Sequence, residues 1–109
     1  MTVSDFAKLG EFQSVCIPSP ERKINGAYVG DLLSWVMGKA EPDNVWITIM
    51  SNLNIVAVAT LADISVIVLA EGVMPDADAL EAAKAKGINI LATKLSSYDV
   101  SIKISEIIS

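Results

Sequence analysis

Val45-Trp46-Ile47-Thr48-Ile49-Met50 stops at Ser51-Asn52, Val66-Ile67-Val68-Leu69-Ala70 stops at Glu71-Gly72, and Ile88-Asn89-Ile90-Leu91-Ala92 stops at Thr93-Lys94. Each run is short, rich in β-branched residues and apolar at nearly every position. That pattern belongs to strands covered on both faces, as parallel strands are. The segments between the runs carry helical spacing. The cadence specifies an α/β fold: a small, mostly parallel (mixed) sheet with helices on both faces. Its polar strand ends gather along one rim, where open α/β sheets bind their ligands. A place is indicated, not a reaction.

Working outward, Leu53–Ala62 is the ambiguous segment. Ile55-Val56-Ala57-Val58-Ala59 alternates as a strand would, and Ser51–Asn54 could turn a hairpin back onto Val45–Met50. Leu53, Val56, Ala57 and Leu61 also fall at helical spacing, and three alanines favour a helix. The flanking strands need cover on both faces, so a helix is expected. Pro75 suits a first helical turn, Asp76 and Asp78 favour its positive end, Lys84 and Lys86 its negative end, and Gly87 terminates it. Ser96 with Asp99 resembles a capping box, and Val100, Ile104, Ile107 and Ile108 form one helical face.

The first half is less regular. Thr2 with Asp5 caps a short helix over Thr2–Leu9, ended by Gly10, and Phe12–Ile17 reads as a strand. Pro18 and Pro20 place a loop, and Ile24–Val29 is a weak strand interrupted by Gly26. Asp31 is expected to N-cap a helix running to Met37 and stopped by Gly38. Trp35 and Trp46 are expected in the core or at an interface.

One domain is expected over residues 1–109. The chain is 52% apolar and only 19% charged, with a mean hydropathy of +0.50. A chain this small has limited interior for that many apolar residues, so association as a homodimer is expected. The net charge is −5, and the one dense basic pair, Arg22-Lys23, is isolated. Nucleic acid and anionic membrane surfaces are therefore not expected partners. With no histidine and a single cysteine, Cys16, an intrachain disulfide, a Cys/His zinc site and any Ser-His or Cys-His nucleophile are all excluded. No metal site and no cofactor are expected. Met1–Phe6 has no basic stretch leading an apolar core, so no signal peptide is visible. The longest apolar tract, Ile55–Ala70, contains Asp63, which would cost roughly 3 kcal/mol in a bilayer. A cytoplasmic protein is expected.

The candidate ligand-binding residues are those at the strand ends: Ser51, Asn52, Asn54, Glu71, Gly72, Thr93 and Lys94. Backbone N–H groups near Leu53 and Pro75 would add donors for a phosphate or carboxylate. Glu71 would oppose an anion unless it meets a ribose hydroxyl or pairs with Lys94. The plainer alternative is that Ser51, Asn52 and Ser96 only cap helices and Gly72 only turns the chain. A second candidate cluster is Tyr28, Asp31 and Ser34. Catalytic signatures are missing: Gly38-Lys39 lacks the glycine five residues earlier that a phosphate loop requires, and there is no Gly-x-Gly-x-x-Gly.

The run Gly26-Ala-Tyr-Val-Gly-Asp-Leu-Leu-Ser-Trp-Val-Met, followed by Trp46-Ile-Thr-Ile-Met, Asn54-Ile-Val-Ala-Val-Ala, Ile67-Val-Leu-Ala-Glu-Gly and Gly87-Ile-Asn-Ile-Leu-Ala-Thr-Lys-Leu-Ser, resembles the small stand-alone DRTGG-domain proteins. The similarity spans roughly Ile24 to Ile104. The wider group is similar to the N-terminal domain of HPr kinase/phosphorylase and, more distantly, to the N-terminal domains of Mur ligases. The resemblance implies a mixed sheet with helices on its faces, and a helix over Leu53–Ala62. It also implies a regulatory or association role beside kinase or CBS modules, without catalysis and without the kinase's own phosphate-loop domain. No Thr-Gly-Gly is present, and Met50-Ser51-Asn52-Leu53 stands where similar chains carry a Gln-Thr-His-like stretch. The resemblance carries over no catalytic residue.

Three functional readings follow. The leading one is a non-enzymatic regulatory or interaction domain that binds a small anionic or nucleotide-like ligand at the rim. The second is an accessory subunit that docks on an enzyme complex without any small ligand. The third, a small hydrolase or transferase, would need Asp31, Glu71 and Lys94 to converge.

Overall fold

In the computed structural model, which describes residues 1–108, the elements run α1 (Val3–Ala7), β1 (Gln13–Cys16), β2 (Ala27–Val29), α2 (Leu33–Lys39), β3 (Val45–Thr48), α3 (Asn54–Ala62), β4 (Val66–Leu69), α4 (Ala77–Lys86), β5 (Asn89–Ala92) and α5 (Ser97–Ile108). The five strands form one sheet in the order β1-β5-β4-β3-β2. Strands β2 to β5 pair in parallel, and β1 closes the sheet antiparallel to β5. The sheet is mixed, as the sequence predicts.

Strands β3, β4 and β5 are buried at every position. Their side chains alternate between two cores, the period-two consequence of the pleat. Trp46, Ile67, Leu69 and Ile90 pack with Val36 of α2, Ile55 and Ala59 of α3, and Ala79 and Ala83 of α4. Val45, Ile47, Val66, Val68 and Leu91 pack with Val3 and Phe6 of α1 and with Val100 and Ile104 of α5. Because the parallel strands are added in one direction, the three crossover helices share one face. After α2 the chain changes face only beyond β5, returning to the face that α1 covers.

Leu53–Ala62 resolves as a helix, with Ile55, Val56, Val58 and Ala59 buried. It ends on Asp63 in a left-handed conformation (φ 58°). The Thr2–Asp5 capping box forms, and Ser96 Oγ accepts the Asp99 N–H at 3.1 Å.

Several local expectations are corrected. Leu32, not Asp31, is the N-cap of α2, and it has no side-chain cap. The Asp31 carboxylate instead accepts the Thr48 hydroxyl at 2.7 Å and the Ile49 N–H at 3.0 Å, joining the start of α2 to the end of β3. Gly38 lies inside α2, which continues to Lys39. Pro75 precedes the N-cap of α4, Asp76, whose side chain makes no cap bond. Trp46 is fully buried and donates from Nε1 to the Gly30 carbonyl at 2.9 Å. Of the core-or-interface alternatives, Trp46 takes the core, whereas Trp35 is 56% exposed, with Lys39 Nζ 4.8 Å from its ring centroid.

Candidate functional site

The site is set by where the chain changes face. The connection after β4 leads to α4 on one face, and the connection after β5 leads to α5 on the other. Open α/β sheets form their ligand crevice beside such a divergence, at the carboxyl ends of the strands. Because β1 runs antiparallel to β5, with Gln13 opposite Ala92, the α1–β1 turn arrives at the same rim. A crevice of about 500 Å³ opens between residues 10–13, residues 92–95, Gly72 and Met74.

Hydrogen bonds lock its back wall. Glu71 N–H donates to the Leu95 carbonyl and Gly72 N–H to the Thr93 carbonyl, both at 2.9 Å, so the two diverging loops are tied together. Glu71 and Gly72 both adopt left-handed backbone, at φ 61° and 76°. For a non-glycine residue that conformation costs about 1 kcal/mol, which these two loop bonds offset. Thr93 is buried, and its Oγ1 accepts the Leu95 N–H at 3.2 Å.

Phe12, Met74, Ala92 and Leu95 give the crevice its apolar walls, while Lys94 and Gln13 are exposed at its edge. Lys94 forms no ion pair among the described residues. Glu11, also on the wall, pairs with Lys103 of α5. The Lys103 ammonium donating to it holds the Glu11 carboxyl below the ordinary glutamate value, and Glu11 in turn raises Lys103. The Glu11 charge is thereby matched, while neither Lys94 nor the adjoining, exposed Glu71 forms an ion pair among the described residues.

Of the residues chosen from the sequence, Gly72, Thr93 and Lys94 line this crevice. Glu71 adjoins it as the exposed residue before Gly72. Ser51, Asn52 and Asn54 stand on the same rim but outside it. The Ser51 carbonyl accepts the Asp76 N–H at 2.9 Å, and Asn52 Oδ1 accepts the Asn54 N–H at 2.9 Å at the start of α3. Those bonds are the plainer, turn-forming role. Tyr28, Asp31 and Ser34 do not line this crevice. Tyr28 packs its ring against Gly30, where an added Cβ would lie 2.9 Å from Cε2; Asp31 is engaged by β3, and Ser34 is exposed on α2. No hydrogen bond or ion pair joins Asp31, Glu71 and Lys94, and Asp31 lies at the end of β3, two strands from Lys94.

The α1–β1 turn, Gly10 to Gln13, is the part of the wall that sequence reasoning missed. Its placement depends on β1 lying antiparallel beside β5, a pairing without a local signal. A second, smaller hollow of about 290 Å³ at the opposite rim is lined by Ser19, Arg22, Asp63 and Lys86 among others. There Arg22 is already spent on Asp43 at 2.7 Å and Asp63 at 3.0 Å. Among the described residues no three His, Cys, Asp or Glu side chains are placed to hold a metal, and no helix is long and apolar enough to cross a membrane.

Residues 22–107 match the family model described as the DRTGG domain. This chain belongs to the DRTGG domain family. The matched span begins after the α1–β1 turn, so that wall of the crevice lies outside the family's matched region, while Gly72, Thr93 and Lys94 lie within it. No curated protein matches the chain. Among solved structures, the DRTGG domain is similar to the CBS and DRTGG domains of the regulatory region of a Clostridium perfringens pyrophosphatase, complexed with its activator diadenosine tetraphosphate. The TM-score is 0.65 at 18% identity, over 84% of this chain and 40% of that one. The likeness is one of fold, and this chain spans less than half of that regulatory region.

Proposed function

We propose that this DRTGG domain is a non-catalytic regulatory domain, over residues 1–109, that binds a small anionic, nucleotide-like ligand in the crevice beyond β5 and associates with a second copy of itself. The observation that carries the reading is the crevice itself: apolar walls from Phe12, Met74 and Leu95 beside Lys94, a cation with no ion pair among the described residues. Small-molecule sites are commonly apolar hollows with a few placed polar groups. Apolar walls of this kind suit a planar ring, and the Lys94 ammonium suits a phosphate, with the polar residues Gln13 and Thr93 on the same lining. The relative in the pyrophosphatase belongs to a regulatory region that carries a nucleotide activator, which supports a regulatory role of the same kind. The lack of any histidine and the dispersal of Asp31, Glu71 and Lys94 support a role without catalysis.

A thermal-shift panel of adenosine, AMP, ATP, pyrophosphate and inorganic phosphate tests it. A ligand at about tenfold its Kd stabilises the native state by about 1.4 kcal/mol, and for a domain of this size each kcal/mol raises Tm by roughly 4–8 °C. ATP should give such a rise, Lys94→Glu should abolish it, and Asn52→Ala should leave it intact. No rise with any compound at about 1 mM, with self-association preserved, would favour the reading as a docking subunit without a small ligand.

A further inference from the structure

The two edges of the sheet are treated differently. At one edge, β1 is interrupted by a bulge between Ser14 and Cys16 and followed by Pro18 and Pro20. Bulges and prolines are ordinary means of keeping a strand edge from pairing with another chain. At the other edge, β2 sits in Asn25-Gly-Ala-Tyr-Val-Gly30, which has neither a charge nor a proline.

The pairing of β2 with β3 defines what that edge presents. Val45 N–H donates to the Gly26 carbonyl at 3.0 Å and Gly30 N–H to the Ile47 carbonyl at 3.1 Å. Strand groups alternate in direction with a period of two, so Tyr28 also bonds inward and Ala27 and Val29 turn their N–H and C=O groups outward. Both residues are exposed, and no backbone bond from their N–H groups to a loop, cap or turn is made among the described residues.

Apolar side chains flank the edge on both faces. Val29, 48% exposed, stands opposite Ile47 of the α1/α5 core, and Ile49 just beyond β3 is 44% exposed. On the other face lie Leu32, the N-cap of α2, at 59% and Trp35 in the first turn of α2 at 56%. These four side chains leave on the order of 400 Å² of apolar surface open. A stable interface buries about 800 Å² per partner, of which roughly 56–65% is apolar. The patch therefore supplies most of the apolar area that a dimer requires.

We infer that β2 pairs antiparallel with β2 of a second copy, about a two-fold axis through Tyr28, making a continuous ten-stranded sheet. Ala27 then lies opposite Val29 of the second copy, and the four outward N–H groups meet the four outward carbonyls. A two-fold axis normal to the sheet keeps α2 and its counterpart on the same face, where Leu32 and Trp35 are covered. This deepens the self-association in the proposed function, rests on that part alone, and is independent of the crevice on the other side of the sheet.

Sedimentation velocity of the full chain from about 1 to about 100 μM tests it. The unaltered protein should be dimeric at the upper end. Val29→Lys and Trp35→Glu, both at exposed positions, should each weaken the dimer at least tenfold. Tyr98→Lys, at a 73% exposed site on α5, should leave it unchanged. Far-UV circular dichroism confirms that each variant is folded. A monomer throughout would overturn self-association and this surface together. A dimer indifferent to both Val29→Lys and Trp35→Glu would overturn the surface while leaving self-association in place. Neither outcome touches ligand binding, which the thermal-shift panel reads separately.

Discussion

Charge placement around the crevice depends on single residues. Glu11 and Lys103 come from distant parts of the chain and cancel one another at its mouth. Glu11 titrates below the ordinary glutamate value near 4.5 because Lys103 donates to its carboxylate. Its contribution to stability is therefore present above that ordinary value and is lost as the pH falls through the lower folded value. The Lys103 contribution is present below 10.5 and is lost as the pH rises through its raised folded value. Glu11→Gln should accordingly lower Tm slightly near neutrality, where the pair is formed, and leave it unchanged at acid pH well below 4.5, so that the acid limb is flatter. The change should be small, because the pair is exposed to solvent. Asp5, held low first by the Thr2 backbone N–H, should preserve part of the acid limb. Calorimetry on both proteins reads the difference, and identical acid limbs would show that the ion pair does not hold in solution. At Asp31 a local rule gave way: a carboxylate placed to cap a helix is claimed by Thr48 and Ile49 across a strand pairing. No signal within the helix itself reveals that competition.

Element by element, the helices were legible where their termini carry strong local chemistry. The Thr2–Asp5 capping box and Gly87 at the end of α4 both lie where the sequence puts them. Gly87 is left-handed (φ 73°), and an added Cβ would sit 3.2 Å from Ser19 Oγ, which donates to the Gly87 carbonyl. Gly87→Ala should therefore destabilise the protein by about 1–2 kcal/mol through the left-handed backbone alone. Urea unfolding reads that loss; an unchanged midpoint would mean that α4 ends without this turn. Helix α3 shows the opposite case, since its sequence suits a strand almost as well. Tertiary demand settles it, because β3 and β4 are buried on both faces and need a covering helix between them. The edge strands were the least legible elements: β1 and β2 are short, and only their neighbours in the sheet fix their limits.

For the molecule as a whole, apolar runs ending in polar pairs were enough to specify a mostly parallel α/β sheet and the rim at which its strands end. They were not enough to say which part of that rim is open. The answer depends on two non-local facts, the crossing of the chain to the other face after β5 and the antiparallel seating of β1. Together these put residues 10–13 opposite Thr93 and Lys94 and leave Ser51, Asn52 and Asn54 to turn formation. The same arrangement separates the two proposed activities, with the ligand crevice beside β5 and β1 and the association edge at β2. An amide-resolved NMR titration with ATP tests the crevice most directly. Shifts should concentrate at residues 10–13, 72–74 and 92–95 and vanish in Lys94→Glu; an unperturbed spectrum, or shifts centred on residues 51–54, would contradict ligand binding at this site.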